Sequence, residues 1–165
     1  MVTRISKLSL LAGIALMYTF VVFNNFTDFD SNYQFVRHVL MMDSTFPGNH
    51  LMWRALPFPA VQMAFYIGII AWETLTMILL WGGAVRLFAA LRLSAEDFNE
   101  AKRVPVMALT LSLLLWLVAF LDVGGEWFLM WQSHAWYGQE AAFRNFVVVG
   151  LVLLLILQPD TEELP

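Results

Sequence analysis

The 165 residues contain no cysteine. Disulfides, cysteine-ligated iron–sulfur clusters and thiolate chemistry are therefore excluded, although this says nothing about compartment. Charge is scarce as well: Asp, Glu, Lys and Arg together make up 13% of the chain, against roughly a quarter in soluble domains. The formal net charge is −4, and no basic cluster with interleaved aromatics appears, so nucleic-acid binding gains no support. Catalytic signatures are missing too. There is no nucleotide loop, zinc-protease helix motif or nucleophile elbow, and Gly82-Gly83 lacks the surroundings of a phosphate-binding turn. No motif places a Ser/His/Asp constellation, so the expectation is a non-enzyme with no catalytic residue and no cofactor. No internal repeat is visible, and a transporter built from inverted halves is correspondingly unsupported.

What the chain has in quantity is apolar surface. Hydrophobic residues reach 60% and mean hydropathy is +0.69, a composition of membrane proteins rather than of a soluble core. Four apolar runs stand out, at residues 5–23, 60–85, 104–121 and 141–157. At about 1.5 Å per residue each covers most of a ~30 Å hydrocarbon layer. The fourth is marginal, because its uninterrupted part begins after Arg144 and Asn145, and Arg144 is expected to snorkel towards the near interface. Helices are the expected element, since the alternation of barrel strands is absent. Arg4 and Lys7 before the first run imitate a secretory signal, but Val21-Val-Phe-Asn-Asn-Phe26 offers no cleavage site of small residues; the run reads as an uncleaved span. The fold class is thus all-α, a single domain of four transmembrane helices.

Orientation follows from basic residues. Four spans put Arg4, Lys7, Arg86, Arg92, Lys102 and Arg103 on one side, and Arg37, Arg54 and Arg144 on the other. Six against three places both termini in the cytoplasm. The inner loop, 86–103, offers Ser94 as an N-cap for a short amphipathic turn. The acidic tail, 158–165, reads as loose. Most of the seven tryptophans, Trp53, Trp81, Trp127, Trp131 and Trp136, sit near the ends of apolar runs and suit an interfacial belt. Trp72 and Trp116 lie deeper and should pack against neighbouring helices.

One residue breaks the apolar rule. Glu73 stands near the middle of the second run, where an ionisable side chain costs at least ~2.5 kcal/mol to insert. At ~100° per residue, Gln62, Tyr66 and Thr76 fall within about 60° of it, forming one polar stripe on an apolar rod. Such a stripe belongs in the bundle interior. Tyr18 and Thr19 on the first span, or Thr110 and Ser112 on the third, are the expected hydrogen-bond partners. Glu73 is expected to be neutral there unless a cation sits beside it.

The remaining polar information lies in the outer loops, 24–59 and 122–140. The first is long for a connector. Asp30 or Ser31 caps a helix that carries Tyr33, Val36, Val39 and Leu40 on one face, and Pro47-Gly48 ends it. The expectation is an amphipathic cap lying in the periplasmic interface. In the second loop Asp122 and Glu126 are one helical turn apart, as are Glu140 and Arg144; with Arg37 and Arg54 they are candidates for an outer polar cluster. All three histidines, His38, His50 and His134, fall on the same side with Met41, Met42, Met52 and Met130. Imidazole and thioether suit copper, but the spacing matches no metal motif, so the expectation is no metal.

The strings Asn24-Asn-Phe-Thr-Asp-Phe-Asp-Ser-Asn-Tyr-Gln-Phe-Val-Arg-His-Val-Leu-Met-Met-Asp43, Trp72-Glu73, Gly124-Gly-Glu-Trp-Phe-Leu-Met-Trp-Gln-Ser133 and Gly138-Gln-Glu-Ala-Ala-Phe-Arg144 carry a resemblance. The chain resembles the predicted small integral membrane proteins of bacteria grouped as domain-of-unknown-function family 2165. That resemblance covers nearly all of the chain. It implies a four-helix protein of the bacterial inner membrane and transfers no catalytic residue. The leading expectation is a non-enzymatic accessory or interaction subunit of a membrane complex, or a self-associating bundle. Its partners would then be the lipid bilayer and another membrane protein or a second copy. Ala64 and Gly68, four apart, suit close helix contact. Two other readings stand beside it: a proton- or small-solute-translocating channel or carrier using Glu73, and a quinone- or copper-associated redox subunit.

Overall fold

In the computed structural model, residues 1–161 are described. Six α-helices follow in order: α1 (Val2–Thr27), α2 (Phe29–Met41), α3 (Pro59–Ala89), α4 (Ala95–Ala101), α5 (Arg103–Leu114) and α6 (Gln139–Leu157). A π-helix, Leu115–Trp127, continues α5. No strand occurs among the described residues. Four helices are long and apolar enough to cross a membrane: α1, α3, the run Ala95–Trp127 and α6. Only 22% to 33% of their most apolar windows is buried inside the protein. Phe20, Phe23, Val85, Phe88 and Leu154 all point outward, an arrangement that water would penalise at every residue and that acyl chains accept.

The long helices close a ring in which α1 packs on α3, α3 on α5, α5 and the π-helix on α6, and α6 back on α1. Leu11, Ile14, Ala15 and Tyr18 of α1 meet Leu80, Ala84 and Leu87 of α3 in one buried core, which Leu109, Val149 and Val152 complete. The spacing of three and four is the reason: each helix presents one stripe inward. Where α3 and α5 come closest, a Cβ on Gly83 would lie 3.0 Å from the Pro105 ring. Pro105 sits in the first turn of α5, where a backbone donor is not needed. By contrast, Ala64 and Gly68 are exposed, and a Cβ on Gly68 would meet nothing within 4 Å. The close contact inside the bundle falls on Gly83, and the Ala64–Gly68 pair faces outward.

Several boundaries differ from the sequence expectation. The first span, expected to stop at 23, continues as helix to Thr27. Asp28 alone separates α1 from α2, so the cap helix begins before Asp30 and Ser31, and Asp28 is its N-cap without a side-chain hydrogen bond. It stops at Met41, well before Pro47-Gly48, because Met42 turns left-handed at φ 54°. Leu129 does the same at φ 55°. Such backbone costs about 1–3 kcal/mol in a non-glycine residue. Both side chains are buried in one cluster with Val39, Leu40, Phe128 and Met130, and that packing offsets the strain. The cap therefore rests on the second loop as well as on the bundle.

The π-helix was not anticipated. Its bonds reach back five residues, as in Phe128 N–H to Val123 O at 3.0 Å. It begins beside Leu111, whose carbonyl also accepts the Trp72 indole N–H at 3.0 Å; a side chain entering the ladder is a recognised cause of such shifts.

The start of the tail, residues 158–161, is also firmer than expected. Asp160 accepts two hydrogen bonds from Arg4, at 2.9 and 2.6 Å, and both side chains are buried. Arg4 also donates to the carbonyls of Leu91 and Leu93. Asn99 binds the Asp160 backbone at both its N–H and its carbonyl. The tail is thus clasped through Asp160; the expectation for 162–165 lies outside the described residues. Ser94 caps α4 as expected, accepting from Asp97 N–H at 3.1 Å.

Two expected outcomes follow. Gly83→Leu overpacks the α3–α5 contact and lowers the melting temperature in detergent, by about 1–3 kcal/mol of stability. Gly82→Leu, next to it in open space, leaves that temperature unchanged. Asp160→Ala removes two charge-assisted hydrogen bonds from the buried Arg4 guanidinium and costs about 3 kcal/mol, read by the same thermal scan.

Candidate functional site

The polar stripe of α3 lies inward: Gln62, Tyr66, Glu73 and Thr76 are all buried, Glu73 with 3% of its surface exposed. Thr76 spends its hydroxyl on the Trp72 carbonyl one turn back, at 2.8 Å, and so satisfies itself. Glu73 is satisfied from another helix. Asn25 Nδ2 donates to Glu73 Oε2 at 2.6 Å, and Asn25 Oδ1 accepts from the Tyr66 hydroxyl at 3.1 Å. One amide, with one donor and one acceptor side, thus joins a phenol to a carboxyl group and α1 to α3. No ion pair reaches Glu73 among the described residues.

Asn25 lies beyond residue 23, where the apolar run ends, so hydropathy alone does not point to it. The signal was available: Leu11, Ile14, Ala15, Tyr18, Val22 and Asn25 continue one buried stripe at spacings of three and four. Of the partners expected for Glu73, Tyr18 bonds to Ser112 at 2.7 Å instead, tying α1 to α5. Thr19 donates back to Ala15 O and accepts the Trp81 indole N–H. Thr110 is exposed. Gln62 donates to Leu56 O at 2.7 Å, while its Oε1 is buried without a partner.

The candidates for an outer polar cluster are dispersed. Asp122, Glu126, Glu140 and Arg144 are exposed, and no ion pair joins any of the six among the described residues. Arg37 donates to Gln34. Arg54 lies over the rings of Trp53 and Trp127 at 5.4 and 4.6 Å and donates to Trp127 O. The two loops are instead joined by neutral groups. Ser44 bonds to Ser133 at 2.8 Å, Phe46 N–H to Gln132 Oε1 at 3.1 Å, and Leu56 N–H to Leu40 O within the cap. His38 stacks on Trp136 at 4.4 Å and pairs with Asp43 at 2.7 Å. His50 and His134 are exposed, and the described residues hold no group of three or more His, Cys, Asp or Glu able to share a metal.

Beside this interior site runs an open groove between α3 and the π-helix, roofed by α2. Its volume is about 730 Å³, and its lining includes Ala64, Gly68, Trp72, Phe120, Gly124 and Phe128. The lining is almost wholly apolar, and the Trp72 N–H is already given to Leu111 O.

The model of domain-of-unknown-function family 2165, described as a predicted small integral membrane protein, matches residues 3–159. The chain belongs to this family. It is a small integral membrane protein, in contact with the lipid bilayer through four apolar helices. No curated protein and no solved structure matches it. The family match takes in every member of the Glu73 clasp and ends one residue before Asp160.

Replacing Asn25 by Leu orphans the Glu73 carboxyl and leaves the Tyr66 hydroxyl only the backbone carbonyl of residue 25, at 3.5 Å, and is expected to cost about 1–3 kcal/mol in denaturant unfolding in micelles. Glu73→Gln keeps an acceptor for Asn25 and is expected to cost less than half as much.

Proposed function

We propose that this protein is a non-enzymatic membrane subunit that receives an apolar transmembrane helix, of a partner protein or of a second copy, in the groove between α3 and the π-helix. The observation that carries this reading is the exposed face of Ala64 and Gly68 opening on that apolar groove. Small residues let backbones approach closely in lipid, where packing rather than the hydrophobic effect drives association. The bundle does not use these residues for its own packing, as the empty space around Gly68 attests. Glu73 is then a clasp between α1 and α3, holding the wall of the groove.

A second reading rests on a different feature. Gln62, Tyr66, Asn25 and Glu73 form a run of polar groups leading from the cap towards the middle of α3, with an unpartnered Gln62 oxygen at its outer end. Such a run supports translocation of a proton or small solute, with Glu73 as carrier. A quinone- or copper-associated role gains less. The groove offers no free polar group to orient a quinone ring, and the histidines do not converge.

The membrane is proposed to be the bacterial inner membrane. The end of the bundle where α1 begins and α6 ends also bears Arg4, Lys7, Arg86, Arg92, Lys102 and Arg103, and the basic excess supports a cytoplasmic position for it. A reporter active only outside the cytoplasm, fused after Thr161, is expected to be silent.

The groove is tested with Gly68→Leu, which leaves the melting temperature unchanged and weakens association at least tenfold in native mass analysis of nanodisc-embedded protein. A wild-type chain that stays monomeric and partner-free in its own lipid sinks the proposal. For the second reading, proton flux into vesicles that persists in full in Glu73→Gln removes Glu73 as carrier.

A further inference from the structure

At the end of the bundle where α1 begins and α6 ends, two ammonium groups converge on one neutral atom. Lys7 Nζ and Lys102 Nζ donate to the carbonyl oxygen of Gln158 at 2.6 and 2.8 Å. Lys102 gives a second hydrogen to Asn99 Oδ1 at 2.6 Å. The two residues are 4% and 5% exposed, and neither forms an ion pair among the described residues. Among the described residues the one buried carboxylate nearby, Asp160, is committed to Arg4. Buried cations sharing a carbonyl leave positive charge uncompensated, a costly arrangement without an anion close by.

A pocket of about 530 Å³ opens at this point, between the α4–α5 rod and the end of α6. Its upper wall carries Asn99, Lys102 and Arg103; its lower wall carries Val106, Met107, Ile156 and Leu157. Lys102 has three N–H donors and spends two in the bonds above. Arg103 pairs with Glu100 at 2.7 Å, but both side chains are largely exposed, so this pair is weak and the guanidinium is free to turn. About 7.5 Å of helix separates Lys102 from Met107, which sets cationic donors directly above a strip of lipid-facing apolar surface.

We propose that this pocket binds an anionic phospholipid, its phosphate held by Lys102 and Arg103 and one acyl chain laid along Val106, Met107 and Ile156. Charge complementarity selects an anionic headgroup over a zwitterionic one. The apolar lower wall selects a lipid over free phosphate, which has nothing to place there. The site is independent of the α3 groove and of Glu73, which lie towards the other end of the bundle.

The test is native mass analysis of the detergent-purified full chain, offered phosphatidylglycerol and phosphatidylcholine at equal concentration. The wild-type chain retains phosphatidylglycerol preferentially. Lys102→Gln and Arg103→Gln each lower that preference about fivefold, the effect of one basic residue at an anionic surface. Arg103 is exposed, so Arg103→Gln reports on binding even where Lys102→Gln unfolds the chain. Equal retention of the two lipids overturns the proposal, as does a preference untouched by Arg103→Gln. It also fails if inorganic phosphate or glycerol phosphate stabilises the protein as strongly as the lipid does.

Discussion

A polar side chain inside a hydrocarbon layer has no water to fall back on, and this constraint organises the interior of the protein. The spans α1, α3 and α5 contribute a few hydrogen-bonding groups, and the bundle closes in the arrangement that pairs them across helices. Asn25 with Glu73 and Tyr66 joins α1 to α3. Tyr18 with Ser112 joins α1 to α5, and Trp72 with the Leu111 carbonyl joins α3 to α5. Apolar packing alone would not choose among rotations of four greasy rods, because lipid competes with leucine on nearly equal terms. The directional bonds choose. They fix which face of α3 points inward, and thereby which face, that of Ala64 and Gly68, is left towards the membrane.

Much of the architecture was legible in the residues. The four apolar runs, the inward polar stripe of α3 and the Ser94 cap all follow from period and composition, since a helix of about 3.6 residues per turn sorts its own faces. The helix ends were less legible. Polar residues at 24–27 look like the start of a loop, yet α1 continues through them because Asn25 finds its partners inside the bundle. Local propensity cannot register a partner 48 positions away. The π-helix was invisible for a similar reason: its ladder shifts where a tryptophan from another helix takes up a carbonyl nearby.

The polar residues of the loops are held differently. Acid and base at helical spacing suggested an ionic cluster, but spacing along one segment says nothing about what lies opposite. Aromatic rings occupy the space instead, with Arg54 between Trp53 and Trp127 and His38 flat on Trp136. Aromatic surface of this kind holds a cationic or imidazole side chain while still burying apolar area. The strained backbones of Met42 and Leu129 belong to the same layer; dense packing keeps them in place.

The pairing of Arg4 with Asp160 has a consequence in time. The ribosome makes the guanidinium more than 150 positions before its carboxylate, which follows α6. Until then α1 can settle against α3, but its basic head lacks the acid that locks it. The ring of helices is therefore fastened late, when the segment that follows α6 returns to the start of α1.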